Sequence, residues 1–398
     1  MPAELEVALG RCVRCGLCLP HCPTFRLSDD EAASPRGRIV LIQGLLDGTI
    51  GPDPALREHL DSCLHCRACE SVCPADVPFA QIIDGARQQV PPASRVTRWL
   101  RLTLRLSWLL TLAMISARVF AWIARPTSAP GGSAAHRAIR LTRFVHGRAR
   151  PQATPHTGRS EHPRVGLRIG LFTGCLDPWL HSRAVEDAAW VIDALGHEVV
   201  IPSGQGCCGA LHQHAGEVRV ATELRHTNTA AFEQAEVDTV LFLSTGCGMT
   251  LVEGNDALAS MSMDICSWVA RVLPQSGARL AAVRGRVALH RPCSAQYALD
   301  DSDAPLRLLE AIPGLEVGSA GIGAGCCGAA GSYMIDQGGY ADRLGELAVA
   351  DLDPTAVPVT TNLGCALQLA THSGRRDAVM HPLSVLRLAL SGGGSIDR

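Results

Sequence analysis

Two stretches near the start of the chain share the spacing C-x2-C-x2-C-x3-C-P. They are Cys12, Cys15, Cys18 and Cys22 before Pro23, and Cys63, Cys66, Cys69 and Cys73 before Pro74. Four thiolates at short fixed spacing form the soft ligand set that a tetranuclear iron–sulfur cluster needs. In this run three cysteines hold one cubane and the fourth reaches the other. The spacing therefore assigns Cys12, Cys15, Cys18 and Cys73 to one [4Fe–4S] cluster, and Cys63, Cys66, Cys69 and Cys22 to a second. Structural zinc sites pair two C-x2-C knuckles across a longer loop. Four cysteines within eleven residues, closed by proline and present twice, do not read that way.

Eight further cysteines belong to an internal repeat. Cys175, the pair Cys207 and Cys208, and Cys247 recur as Cys293, the pair Cys326 and Cys327, and Cys365, at offsets of 118 or 119 residues. In each copy an apolar run (Ile169–Leu171, Val287–Leu289) precedes the lone cysteine. A helical stretch follows it (Ala184–Leu195, Pro305–Ile312), and a later strand (Val240–Leu243, Val357–Thr360) delivers the last cysteine. A short strand at Glu198–Ile201 leads to the first cysteine pair. Strand and helix in alternation predict α/β layers with parallel strands, whose carboxyl ends are where such folds gather ligands. All four cysteines of a copy are thus expected to converge.

Gly204-x-Gly206-x-x-Gly209 and Gly323-x-Gly325-x-x-Gly328 match the dinucleotide fingerprint. The following strands, however, end at Ser244-Thr245 and Thr361-Asn362, without the acid that would hold a ribose. Cysteine pairs fill the variable positions, so these glycines are read as letting backbone N–H groups approach sulfur. Cys266, in the apolar helical stretch Ile265–Leu273, fits no pattern and reads as a core residue.

All 36 basic residues are arginine, which excludes lysine Schiff-base chemistry, a pyridoxal-phosphate lysine and a P-loop lysine in this chain. Net charge is −2 overall but uneven: −4 over residues 1–90, +12 over 91–164 and −10 over 165–398. Arg98, Arg101 and Arg105 fall at helical spacing beside Trp99, Leu102, Leu106 and Leu109. The longest uncharged stretch there, Leu106–Ala117, is too short for a bilayer span, which takes about 20 residues. Residues 91–125 therefore read as a basic amphipathic helical segment. It could lie on an anionic membrane, dock an acidic partner, or pack on the chain's own acidic domains. Residues 126–164, rich in Pro, Gly, Ser, His and Arg, read as a flexible linker. Nucleic-acid binding is not expected, because the stretch offers few aromatics and no lysine. The opening MPAELEVALGRC has neither a basic n-region nor an apolar h-region, so a cytoplasmic protein is expected.

Together these features resemble the iron–sulfur subunits of glycolate oxidase (glycolate dehydrogenase). Wider relatives are the heterodisulfide reductase subunits and the iron–sulfur subunit of anaerobic glycerol-3-phosphate dehydrogenase. The segment Ser34-Pro-Arg-Gly-Arg-Ile39 favours the first of these, and Glu70–Pro74, the Cys-Cys-Gly triplets and His381-Pro382 fit the same group. The fold so implied is α+β and multidomain. A mostly helical, two-cluster ferredoxin-like domain (1–90) precedes a pseudo-twofold pair of α/β CCG modules (165–285 and 286–398).

The activity implied is electron transfer from an FAD-containing flavoprotein subunit that oxidises glycolate or a similar 2-hydroxy acid. Quinone is the expected final acceptor, with peripheral contact at the inner face of the cell membrane, and no oxidation is expected from this chain alone. A metal-bound interaction scaffold is the non-redox alternative. Thr250 and Gln368 stand where five-cysteine modules carry their last cysteine, leaving four per module and room for one or two further clusters. His290, three residues before Cys293, is a candidate donor to cluster sulfur or to quinone.

Overall fold

The computed structural model describes residues 2–90, 95–124, 134–145, 166–319, 325–374 and 379–396. Residues 1–90 contain short helices around two cysteine-rich loops. Helices Pro2–Gly10, Pro35–Leu46, Pro54–Asp61 and Phe79–Gln89 bury Leu5, Leu9, Ile42, Leu60, Ile82 and Ile83 in one core. Two of these helices start on Ser34-Pro35 and Asp53-Pro54. In each, the capping oxygen accepts an N–H of the first turn, and proline fills the position where a missing N–H costs nothing.

The two cysteine repeats form two parallel sheets. The first contains β1 (Arg168–Phe172), β2 (Glu198–Val200), β3 (Thr239–Phe242) and β4 (Ser262–Asp264) in the order β2-β1-β3-β4. In the second, β5 (Val283–His290), β6 (Leu315–Ser319) and β7 (Val357–Thr360) follow the order β6-β5-β7. Met380 bridges β7 where β4 borders β3. The short β8 (Gly394–Ser395) pairs with the start of β5. Buried, apolar strands covered on both faces are what parallel sheets require.

Helix Ser182–Ala194 of the first repeat packs on Pro382–Leu390 of the second, and Ile265–Val272 of the first packs on Ala304–Glu310 of the second. One apolar core therefore runs through both repeats, from Ile169 and Val185 to Leu308 and Leu386. Cys266 is fully buried within it.

The connecting region differs from expectation. The basic segment is two helices, Arg95–Arg105 and Ser107–Ala124, meeting at a bend at Leu106. Part of the stretch read as a linker is ordered: Ala134–Leu141 is helical and Thr142–Phe144 forms a 3-10 turn. Arg137 donates to the Ile335 carbonyl, and Phe144 and Val145 are buried. Composition missed this anchor because a few apolar residues suffice to hold a polar segment on a neighbouring surface. The rest of the predicted linker, 126–133 and 146–164, lies outside the described residues.

Candidate iron–sulfur sites

The loops of the N-terminal domain wind around two cavities. Cys12, Cys15, Cys18 and Cys73 line one of them, with Val13, Leu17, Ala75 and Val77. The other is lined by Cys22, Cys63, Cys66 and Cys69, with Leu64, Phe79 and Ile83. Each loop turns through left-handed backbone at the same two places, Arg14 (φ 59°) and Gly16 (84°) in the first, His65 (55°) and Arg67 (63°) in the second. A non-glycine residue rarely adopts that conformation. Here it curls three cysteines around one centre, while the fourth crosses to the other cavity.

Apolar walls with a guanidinium at the rim suit a thiolate-bound, net-anionic cluster; Arg36 lines one cavity and Arg38 the other. Arg38 is fully buried and donates to the His59 carbonyl at 2.8 Å, Ser62 Oγ at 2.8 Å and Thr24 Oγ1 at 3.2 Å. It belongs to the Pro-Arg-Gly-Arg-Ile segment, which thus ties the two cysteine runs together.

In the repeats, each lone cysteine follows a central strand and each pair follows an edge strand. In the first repeat the sulfurs of Cys175 and Cys208 neighbour that of Cys207, and Cys208 also neighbours Cys247. In the second repeat Cys293 and Cys326 lie 3.8 Å apart, and Cys327 and Cys365 2.8 Å apart. The glycines act as expected on sulfur. Gly209 N–H donates to Cys207 Sγ and Gly328 N–H to Cys326 Sγ, each at 3.5 Å. Both glycines are left-handed (φ 92° and 80°), and a Cβ on either would press on the helix behind, at Ala221 and Ala341. Gly209 opens a helix of only five residues, Ala210–His214, and Gly323 lies outside the described residues.

Sulfur neighbours set the protonation order. The thiols of Cys175 and Cys208 beside it hold Cys207 well below an ordinary thiol, and those of Cys293 and Cys327 do the same for Cys326. A bond from Cys327 holds Cys365 at about 6, with His290 adding to it. Burial, helped by the nearby Asp264 charge, drives Cys266 the other way, well above its usual range. Each repeat thus has a cysteine disposed to be a thiolate, the form that binds metal.

His290 is buried at the end of β5, and its ring nitrogen lies with the Cys327 and Cys365 sulfurs, all within 4.8 Å of one another. Burial works to lower its pKa, but contact with the Cys365 sulfur and the charges of Cys365 and Cys326 together more than offset this, and the net shift is upward. Its counterpart in the first repeat is Phe172, so the two sites differ by one donor. Thr250 and Gln368 are both buried. The Thr250 carbonyl accepts from Arg225, and Gln368 donates to the Ala341 carbonyl.

Sequence reasoning missed Asn362. Its Nδ2 donates to Cys365 Sγ at 3.5 Å, and its Oδ1 accepts from Gly246 N–H, beside Cys247, at 3.2 Å. It also missed Asp177, a buried carboxyl raised by burial to about 7, which accepts from Ser244 Oγ. The available signal was position, since Ser244 and Asn362 occupy the same place in the two repeats.

The N-terminal domain sits against both repeats. The Tyr333 hydroxyl donates to the Ser62 carbonyl at 3.1 Å, next to Cys63. His65 stacks on His214 with ring centroids 4.2 Å apart, and Arg67 pairs with Glu253. Cys66 and Cys293 pack on the same small apolar cluster as Cys326.

Comparison with known proteins matches the same regions to known domains. Residues 8–77 match the 4Fe-4S dicluster domain, and residues 169–252 and 287–370 each match the cysteine-rich domain. A Bacillus subtilis protein named probable glycolate oxidase iron-sulfur subunit is 30% identical over 92% of this chain and 89% of its own length. The chain belongs to the glycolate oxidase iron–sulfur subunit family. The Escherichia coli glycolate oxidase iron-sulfur subunit is 28% identical, over 97% of this chain and 95% of its own. Lactate utilization protein A of Geobacillus kaustophilus is 25% identical over 56% of this chain. Dicluster and cysteine-rich domains with clustered thiols make this a protein of several iron–sulfur clusters.

Proposed function

We propose that this chain is the electron-transfer subunit of a dehydrogenase acting on glycolate or a similar 2-hydroxy acid, working with an FAD-containing flavoprotein and delivering electrons to quinone. The names of the relatives support the class of reaction. The observation that carries the reading is the succession of cysteine sets. The set at Cys12, Cys15, Cys18 and Cys73 includes the exposed Cys15. Next comes the set at Cys22, Cys63, Cys66 and Cys69. Cys66 then neighbours the second-module set of Cys293, Cys326, Cys327 and Cys365, and Asn362 links that set to Cys175, Cys207, Cys208 and Cys247. In this reading all sixteen are cluster ligands, His290 tunes the second-module site through sulfur, and Cys266 is a bystander.

Iron–sulfur clusters carry single electrons and take no hydride, so breaking the C–H bond of the acid, which needs a hydride acceptor and a base, falls to the flavoprotein. The residues of this chain hold the thiolates, supply N–H donors to sulfur and exclude water around it. We read the two modules, 165–285 and 286–398, as pseudo-twofold halves. Residues 1–90 form the ferredoxin-like domain, and 91–164 connect it to the modules. Among the described residues no helix is long and apolar enough to cross a membrane, so contact with a quinone-bearing bilayer would be peripheral.

Anaerobic purification tests this. At least about eight irons per chain are expected, rising to about sixteen if both modules hold cubanes. Visible absorption should bleach with dithionite, and with glycolate only when the flavoprotein is present. Colourless protein with full zinc would make it a scaffold instead, and glycolate turnover by the isolated chain would overturn the division of labour.

A further inference from the structure

The bent basic helices have two unlike faces. Leu104, Leu110 and Met114 are buried against the first module, in a cluster that includes Trp179, Leu224 and Cys207. On that side Arg101 pairs with Glu217 at 3.0 Å and Arg105 with Glu223 at 2.9 Å. The outer face carries Trp99 (68% exposed) and Trp108 (61%), with Leu112, Ile115 and Val119 also exposed. Positions 108, 112, 115 and 119 follow a helical period, so these side chains form one stripe. Scattered exposed hydrophobics are ordinary, but a contiguous stripe headed by Trp108, with a second exposed tryptophan on the preceding helix, marks an interaction surface.

We propose that this stripe inserts into the headgroup region of an anionic lipid bilayer. Tryptophan favours that depth, since its ring is apolar with one polar edge. Arginine attracts anionic headgroups while its stem packs on hydrocarbon. Arg98 and Arg118 are exposed on these helices, and no acidic residue occurs between Asp84 and Glu161. Residues 91–164 hold thirteen arginines and one acid. A protein partner would meet the charge, but the line of aliphatic and indole side chains fits an interfacial helix better. The surface gives the quinone reading above, on which its role rests, a location. The opposite face of the same helices shares an apolar cluster with Cys207, so the bilayer would lie on the order of one helix diameter, ~10 Å, or more from the first module's thiols.

The test is sedimentation of the anaerobically purified full chain with vesicles of phosphatidylglycerol and phosphatidylcholine, against phosphatidylcholine alone. Binding should require the anionic lipid, weaken with salt, and shift tryptophan emission to the blue. Trp108→Glu with Leu112→Glu, and separately Ile115→Glu, should reduce binding at least about tenfold while iron content stays at wild type. Should one variant lose iron, the other decides. Equal binding by iron-replete variants, or no binding by the parent, would overturn the proposal. So would variants that lose only the flavoprotein partner, since the face would then be a protein interface. Vesicle binding is read without quinone. Intact binding with no quinone reduction would therefore refute the exit reading and leave the surface standing.

Discussion

Asn362 couples the two modules because its amide has a donor and an acceptor on opposite sides, one reaching Cys365 Sγ and the other the backbone beside Cys247. No spacing rule reveals such a residue, because one of its partners, Gly246, comes from the other module. The cysteines were legible because chemistry fixes their spacing and the chain states it twice. The lining of the two cavities bears on crossing, which loss of one thiol can test. Cys22→Ser should disturb the electron paramagnetic resonance signal of the cluster held by Cys63, Cys66 and Cys69, with roughly four irons at risk. Cys266→Ser, altering a buried core thiol, should keep its full iron. Loss confined to the cluster of Cys12, Cys15 and Cys18 would refute the crossing.

Helix starts carry much of the order at the next scale. Asp264 and His381 hold corresponding cap positions in the two modules, accepting N–H groups of Ser267 and Leu383. Asp264 is buried, and burial raises its carboxyl from 3.8 to about 6 despite the hydrogen bonds it accepts. Below the unfolded value both states keep the proton. Between there and about 6 the folded state holds a proton that the unfolded state has released, so the stability carried by the neutral carboxyl is lost as pH rises through that window. Asparagine caps as well and never ionises. Asp264→Asn should therefore be more stable than the parent above pH 6, by up to about 3 kcal/mol, with the gap closing towards pH 4. Comparing Tm across that range checks it; a constant gap would refute the titration. The strands that lead to the lone cysteines and the helical stretch after Asp264 were readable from apolar periodicity, whereas helix Pro382–Leu390 was not picked out. The anchor at Phe144 and Val145 was not, because it depends on the surface it lands on.

Two modules with one core are one unit energetically. Leu308 and Leu386 complete the packing around Ile169 and Val185, and Arg387 pairs with Asp187 across the junction at 2.6 Å. The connection between them, 277–282, has no helix or strand, so a chain cut after Gly277 and co-expressed as two pieces should co-purify with its iron. The piece 278–398 expressed alone should aggregate, since burying a leucine contributes about 2 kcal/mol and several would face water. Soluble, iron-loaded 278–398 would contradict a shared core. The N-terminal domain differs, having a core of its own. This asymmetry imposes a timetable on synthesis. Residues 1–90 can collapse and take up iron while the ribosome is still working. The first module must wait, half made, for helix Pro382–Leu390 at the far end of the message. Its four thiols spend that interval unprotected, which makes slow translation in air the hazard this architecture has to survive.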